Sequence, residues 1–155
     1  NIVYYKNRGT YEDDNVLWCV YSLMDENIPP EIPEETHKVK IGLFHGQIEG
    51  STTDIGFKFE NGYPLDSFIG LDLVLAGDIH KRQTYDIKDG KKAYMVGSLV
   101  QQNFGESVRN HGYGIYDIKK DKYIFKDVDG PEPYLTFKIN DIEDIKNETE
   151  KLTNF

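Results

Sequence analysis

Two short runs, residues 40–45 (KIGLFH) and 71–77 (LDLVLAG), are nearly continuous in apolar residues. A strand wet on one side alternates polar with apolar side chains, so runs of this kind belong to strands covered on both faces, inside a parallel or mixed sheet. The contrast comes later in the chain. Residues 113–118 (YGIYDI) and 122–128 (KYIFKDV) alternate around Lys119, Lys120 and Asp121, the pattern of a peripheral, solvent-facing antiparallel hairpin. Further β-rich runs begin at Val16 (VLWCVYS), Lys92 (KAYMVGS) and Tyr134 (YLTFKI), which makes seven predicted strands. Helical signals are few. Pro64 opens a short helix through Phe68, closed by Gly70, and Asn140 with Glu143 forms a capping-box-like start to a helix running towards Phe155. In that helix Ile142, Ile145, Thr149 and Leu152 share one stripe, which predicts packing against a neighbour. Residues 26–38 (ENIPPEIPEETHK) contain three prolines among acids and read as an exposed loop. The expected class is α/β, verging on α+β, in one domain.

A chain of 155 residues can bury roughly two-thirds of its unfolded surface and needs no metal or disulfide staple to fold. Apolar residues at 38% and aromatics at 13% exclude a disordered tail. No window approaches the roughly 18 unbroken apolar residues of a membrane span. Cys19 is the sole cysteine and lies among apolar neighbours, so it reads as a small buried hydrophobe in a reducing compartment: the cytoplasm, or the host cytoplasm if the protein is phage-encoded. The chain opens at Asn1 without a secretion leader, and a fragment or processed piece of a longer protein is expected. The net charge of −9 excludes a surface that clings everywhere to nucleic acid. It leaves room for a local basic face, and one stretch offers it: Lys81, Arg82, Lys88, Lys91 and Lys92, against Asp86 and Asp89.

Two of the four histidines stand where a buried strand runs out into a glycine-marked turn. His45 ends the first apolar run before Gly46, and His80 follows Gly77 and Asp78 after the second. Both strands therefore deliver donors to one sheet edge, the edge outside the carboxyl ends where α/β sheets bind ligands. Two neutral imidazoles and a carboxylate match the ligand set of a borderline divalent ion such as Zn, Mn or Fe. Residues i and i+2 of an extended segment point the same way, so Asp78 and His80 suit two ions roughly 3.5 to 4 Å apart. The alternative is equally open at this point: two hydrogen-bonded strand-end histidines and a turn-forming aspartate. Residues 97–106 (GSLVQQNFGE) follow an apolar strand as a polar, glycine-bracketed loop of the kind that faces a substrate.

Taken in order, LFHG, LAGDIHKRQ, YMVGSLVQQNFGE and HGYGIYD resemble the second half of calcineurin-like metallophosphoesterases. The likeness is greatest to the nuclease subunits of SbcCD-type double-strand-break-repair complexes, and it covers most of the chain to about residue 133. The resemblance implies the β-rich half of a four-layer αββα sandwich, with mixed sheets and few helices. Residues 1–139 would be the carboxyl-terminal part of the catalytic domain, and residues 140–155 the start of a helix or linker towards a capping or partner-binding region. It implies two divalent ions, with His45 and Asp78 at the second and His80 at the first. Asp78 stands where relatives carry a histidine, and the added charged oxygen tilts the site towards Mn or Mg and away from Zn. Lys81, Arg82, Ser98 and Gln101 would meet the substrate backbone. His111, in a histidine–glycine pair common among phage-type relatives, is a candidate to line the site, with surface hydrogen bonding as the alternative. The implied partners are DNA, an SMC-like ATPase subunit and a second copy of the chain, with no membrane.

In that family the other ligands come from Asp-x-His, Gly-Asp and Gly-Asn-His-Asp/Glu motifs amino-terminal to the matching segment, and the residues ahead of His45 contain none of them. About half a coordination shell is therefore expected here, and a chain that cleaves nothing by itself. Two other readings stand beside the DNA nuclease: a metallophosphoesterase acting on nucleotides or phosphoproteins, and a non-catalytic scaffold that keeps the sheet without its metals.

Overall fold

The computed structural model of the chain describes residues 3–26, 28–130 and 133–152. The described residues form a strand-rich α/β fold whose strands are β1 (Gly9–Asp13), β2 (Val16–Tyr21), β3 (Val39–His45), β4 (Leu73–Gly77), β5 (Gln83–Asp86), β6 (Lys92–Met95), β7 (Gly112–Asp117) and β8 (Lys122–Asp127). The helix α1 (Ile142–Leu152) follows them. Strands β1 to β6 make one sheet in the order β1-β2-β3-β4-β6-β5, and β7 pairs with β8 in a two-stranded ladder. The apolar runs at residues 40–45 and 71–77 supply the two central strands, β3 and β4. β2, β3, β4 and β6 run parallel, while β1 and β5 close the edges antiparallel.

Alternation along the strands sorts the core into two clusters. Leu17, Cys19, Tyr21, Phe44, Val74, Ala76, Ala93 and Met95 pack on one face. Val16, Ile41 and Leu73 anchor the other, with Trp18, Leu75, Tyr94 and Tyr116 against them. Burial drives the Cys19 thiol up to about 11, so it stays protonated and inert. Parallel neighbours need long crossovers, usually helical. Here the crossover from β3 to β4 contains no α-helix. Ile48, Tyr63 and a 3-10 turn at Leu65–Phe68 cover the sheet instead. Phe68 is buried with its ring 5.3 Å from those of Tyr21, Phe44 and Tyr63, and the Tyr21 hydroxyl donates to Ser67 O at 2.9 Å. The hairpin of β7 and β8 is fastened to the opposite face by Tyr123 stacked on Tyr94 at 3.8 Å.

Several expectations are corrected. The run from Tyr134 is no strand: its backbone has no neighbouring strand to pair with, and Tyr134 N instead donates to Gln101 Oε1 at 2.8 Å. The edge strands β1 and β5 have no apolar run to announce them, because one side of an edge strand faces water. The short helix expected from Pro64 through Phe68 is present, as a single 3-10 turn over Leu65–Phe68 capped by Pro64. The cap of α1 is Asp141 rather than Asn140: its Oδ1 accepts from Glu143 N and Asp144 N, and Asp144 reaches back to Asp141 N. The expected packing of the α1 stripe is absent from its described part, since Ile142, Ile145 and Thr149 are exposed; the side chain of Leu152 and residues 153–155 lie outside the described residues. The proline-rich loop is exposed as expected save for Pro30, which is buried, and Ile32, which packs on the core.

Gly42 sits mid-strand in β3 between Cys19 and Val74, and a Cβ there would lie 2.7 Å from Leu71 Cδ1 and 3.2 Å from Val74 Cγ2. Gly42→Ala is expected to cost about 1–3 kcal/mol through overpacking, read as a lower urea midpoint with unchanged slope.

Candidate functional site

The parallel ladder pairs His45 with Gly77, so β3 and β4 end level with one another. Gly77 leaves the space the imidazole occupies: a Cβ there would stand 3.3 Å from His45 Nδ1. The next residue, Asp78, has a φ of 104°, a region that a residue with a Cβ rarely enters. That turn brings Asp78 Oδ1 to 3.7 Å from His45 Nε2. Both side chains are substantially exposed, so the pair faces solvent at the carboxyl edge. His80 turns to a different partner. Its Nδ1 lies 2.7 Å from Glu106 Oε1.

The three sequence-predicted ligands thus share an edge but divide into two pairs. Among the described residues no group of three or more His, Cys, Asp and Glu side chains forms a metal cage. The donor chemistry of the His45–Asp78 pair, one imidazole nitrogen and one carboxylate oxygen, suits a borderline divalent ion as a partial shell that needs ligands from elsewhere.

Glu106, which sequence reasoning missed as a site residue, organises the loop of residues 97–106. Its side chain is 7% exposed. Oε1 accepts from His80 Nδ1 at 2.7 Å and Asn103 Nδ2 at 2.6 Å, and Oε2 accepts from Gln102 N at 2.9 Å and Ser98 Oγ at 3.2 Å. Burial pushes the carboxyl up, but the hydrogen bonds from His80, Gln102 and Ser98 outweigh it and hold the group below the ordinary glutamate value. A signal was there to find: Glu106 is the sole acid between Asp89 and Asp117.

The other predicted site residues are committed to the fold. Ser98 and His111 are both buried. Ser98 Oγ is 3.0 Å from His111 Nδ1, and His111 Nε2 donates to Ser107 O at 2.6 Å. Both imidazole nitrogens of His111 are therefore engaged inside the protein rather than at its surface. Gln101 donates to Glu106 O and Tyr134 O and accepts from Tyr134 N, tying down the segment after residue 133. His37, as expected, is exposed and apart.

The basic stretch does not form one patch. Lys92 opens β6 opposite Asp86, at the amino ends of the parallel strands, and pairs with that aspartate, while nearby Lys91 pairs with Asp72. Lys88 lines a cleft at that same end. Only Lys81 and Arg82 stand at the carboxyl edge. Lys81 Nζ donates to Thr52 Oγ1 at 3.0 Å. Arg82 lies 4.0 Å over the Phe125 ring and 2.7 Å from Asp127, which makes it a tie between the main sheet and the hairpin. With His80, Arg109 and Asn110 these two bases line a small cleft of about 120 Å³.

Two outcomes follow from this geometry. Asp78→Gly and Asp78→Ala both remove the carboxylate, but only glycine relieves the backbone, so the glycine variant should be more stable than the alanine one by about 1 kcal/mol in urea unfolding. Glu106 has a depressed folded value, so its stabilising effect is complete above the ordinary glutamate range and is lost as pH falls through that depressed value. Glu106→Gln should therefore be less stable than the native chain at neutral pH, with the difference shrinking in acid when unfolding is followed across pH.

No protein-family model matches the chain, and no solved structure matches it. The chain is similar to "Uncharacterized protein R555" of Acanthamoeba polyphaga mimivirus, 29% identical over 161 residues. That alignment takes in 97% of this chain and spans 12% of the relative's length.

Proposed function

We propose that the chain is the carboxyl-terminal part of the catalytic domain of a divalent-metal-dependent DNA nuclease of the calcineurin-like metallophosphoesterase type, the β-rich half of its four-layer sandwich. The observation that carries this reading is the imidazole–carboxylate pair of His45 and Asp78, 3.7 Å apart at the carboxyl edge of a parallel ladder, with His80 two residues further on. His45 and Asp78 would hold one ion and His80 its neighbour, with Mn favoured by the carboxylate. When bound, such ions would supply charge that clamps a phosphate and acidifies a water. The chain's own residues orient the donors: Gly77 admits the His45 ring, and the strained turn at Asp78 aims its carboxylate. Lys81 and Arg109, beside His80, offer positive charge to phosphates flanking the reacting one, while Arg82 in the same cleft is held by Asp127 and Phe125. Double-strand-break repair, in company with an SMC-like ATPase, is the process that fits a nuclease of this type.

Calorimetric titration of the 155-residue chain with MnCl₂ tests the reading. The native chain should bind Mn, His45→Ala and Asp78→Ala should lose most of the bound metal, and His37→Ala should keep it. The isolated chain should leave linear DNA uncut in the presence of Mn. Unchanged Mn binding by both the His45→Ala and Asp78→Ala variants would overturn the ligand assignment. No Mn binding by the native chain would favour the scaffold reading.

A further inference from the structure

Resting on that metal-site reading, we propose that Glu106 is a positioning residue that holds His80 in the tautomer protonated at Nδ1, so that the Nε2 lone pair is presented to a divalent ion. The geometry decides between this role and that of a direct ligand. A carboxylate has about four lone-pair sites. Glu106 fills them with His80 Nδ1 and Asn103 Nδ2 on Oε1, and with Gln102 N and Ser98 Oγ on Oε2. No site is left for a metal, and every partner is placed to donate. An ionised carboxylate accepts only, so the hydrogen bond at 2.7 Å requires the His80 proton on Nδ1.

In a neutral imidazole the lone pair is then on Nε2. The His80 side chain is 45% exposed against 7% for Glu106, so one edge of the ring is held by the buried carboxylate while the ring itself remains accessible at the sheet edge. A carboxylate behind a histidine, fixing tautomer and ring orientation, is the arrangement that raises the basicity of a metal-binding imidazole. Glutamine cannot substitute. Its amide would set an NH₂ group against donors now satisfied by a carboxylate oxygen, and neither orientation of that amide accepts from all four. Ser98 also bonds the His80 carbonyl, whereas the hydrogen bonds of Asn103 run to Gly105 and Glu106, which provides a control: losing the Asn103 donor loosens the loop without altering the acceptor that His80 sees.

The test reads the tautomer directly, on the 155-residue chain carrying ¹⁵N-labelled histidine, by long-range proton–nitrogen correlation NMR without metal. His80 is expected to be protonated at Nδ1 in the native chain and in Asn103→Ala, and to show a mixture of tautomers in Glu106→Gln. Mn titration of the same proteins should show affinity falling about 10–100-fold in Glu106→Gln. A native His80 protonated at Nε2 would overturn the proposal with no variant needed, and so would a Glu106→Gln chain that keeps the Nδ1 tautomer. If the tautomer behaves as expected while the native chain binds no Mn, the positioning role stands and the metal-site reading is the part that fails.

Discussion

The site depends on the registration of β3 against β4. Parallel pairing of Ile41 with Leu73 through His45 with Gly77 carries two buried strands to the same level and stops them together. Slipping β4 by one residue against β3 would turn its buried side chains to the opposite face. Leu73, about 2% exposed, would exchange environments with Val74, which packs in the cluster of the aromatic crossover. Core burial and donor placement are thus one constraint. The apolar residues that hold the register also fix where His45 and Asp78 meet.

Much of this was legible in the sequence for physical reasons that can be named. Runs such as VKIGLFH and LDLVLAG announce buried strands because only coverage on both faces tolerates such runs, and glycine followed by a polar residue marks where they stop. The hairpin of β7 and β8 was visible by alternation. The strands that escaped notice, GTYED and QTYD, are edge strands whose partners specify them more than their own residues do. YLTFKI shows the reverse failure: β propensity without a neighbour makes no strand.

At the site, residue types and edge were readable, while partnerships were not. Composition placed His45, Asp78 and His80 together, yet the last of these turns to Glu106, which lies 26 positions away and whose burial no local pattern reveals. The basic stretch shows the same limit. Sequence proximity grouped five charges that β5 then carries to opposite ends of the sheet, and Arg82 spends its guanidinium on Phe125 and Asp127. Charge on a strand pair is distributed by the ladder, not by order along the chain.

The crossovers between parallel strands have one consequence for how the molecule is made. Among the described residues, neither the passage from β2 to β3 nor that from β3 to β4 contains an α-helix that could form early from local contacts. The rings of Tyr21, Phe44, Tyr63 and Phe68 come from separated segments and can cluster only after distant stretches of chain have met. Closing such loops costs entropy before any burial repays it, which places this chain among slow, topology-limited folders. While it waits, its most apolar strands stand open to other copies of themselves, so a nascent chain has more to gain from a chaperone than its modest size suggests.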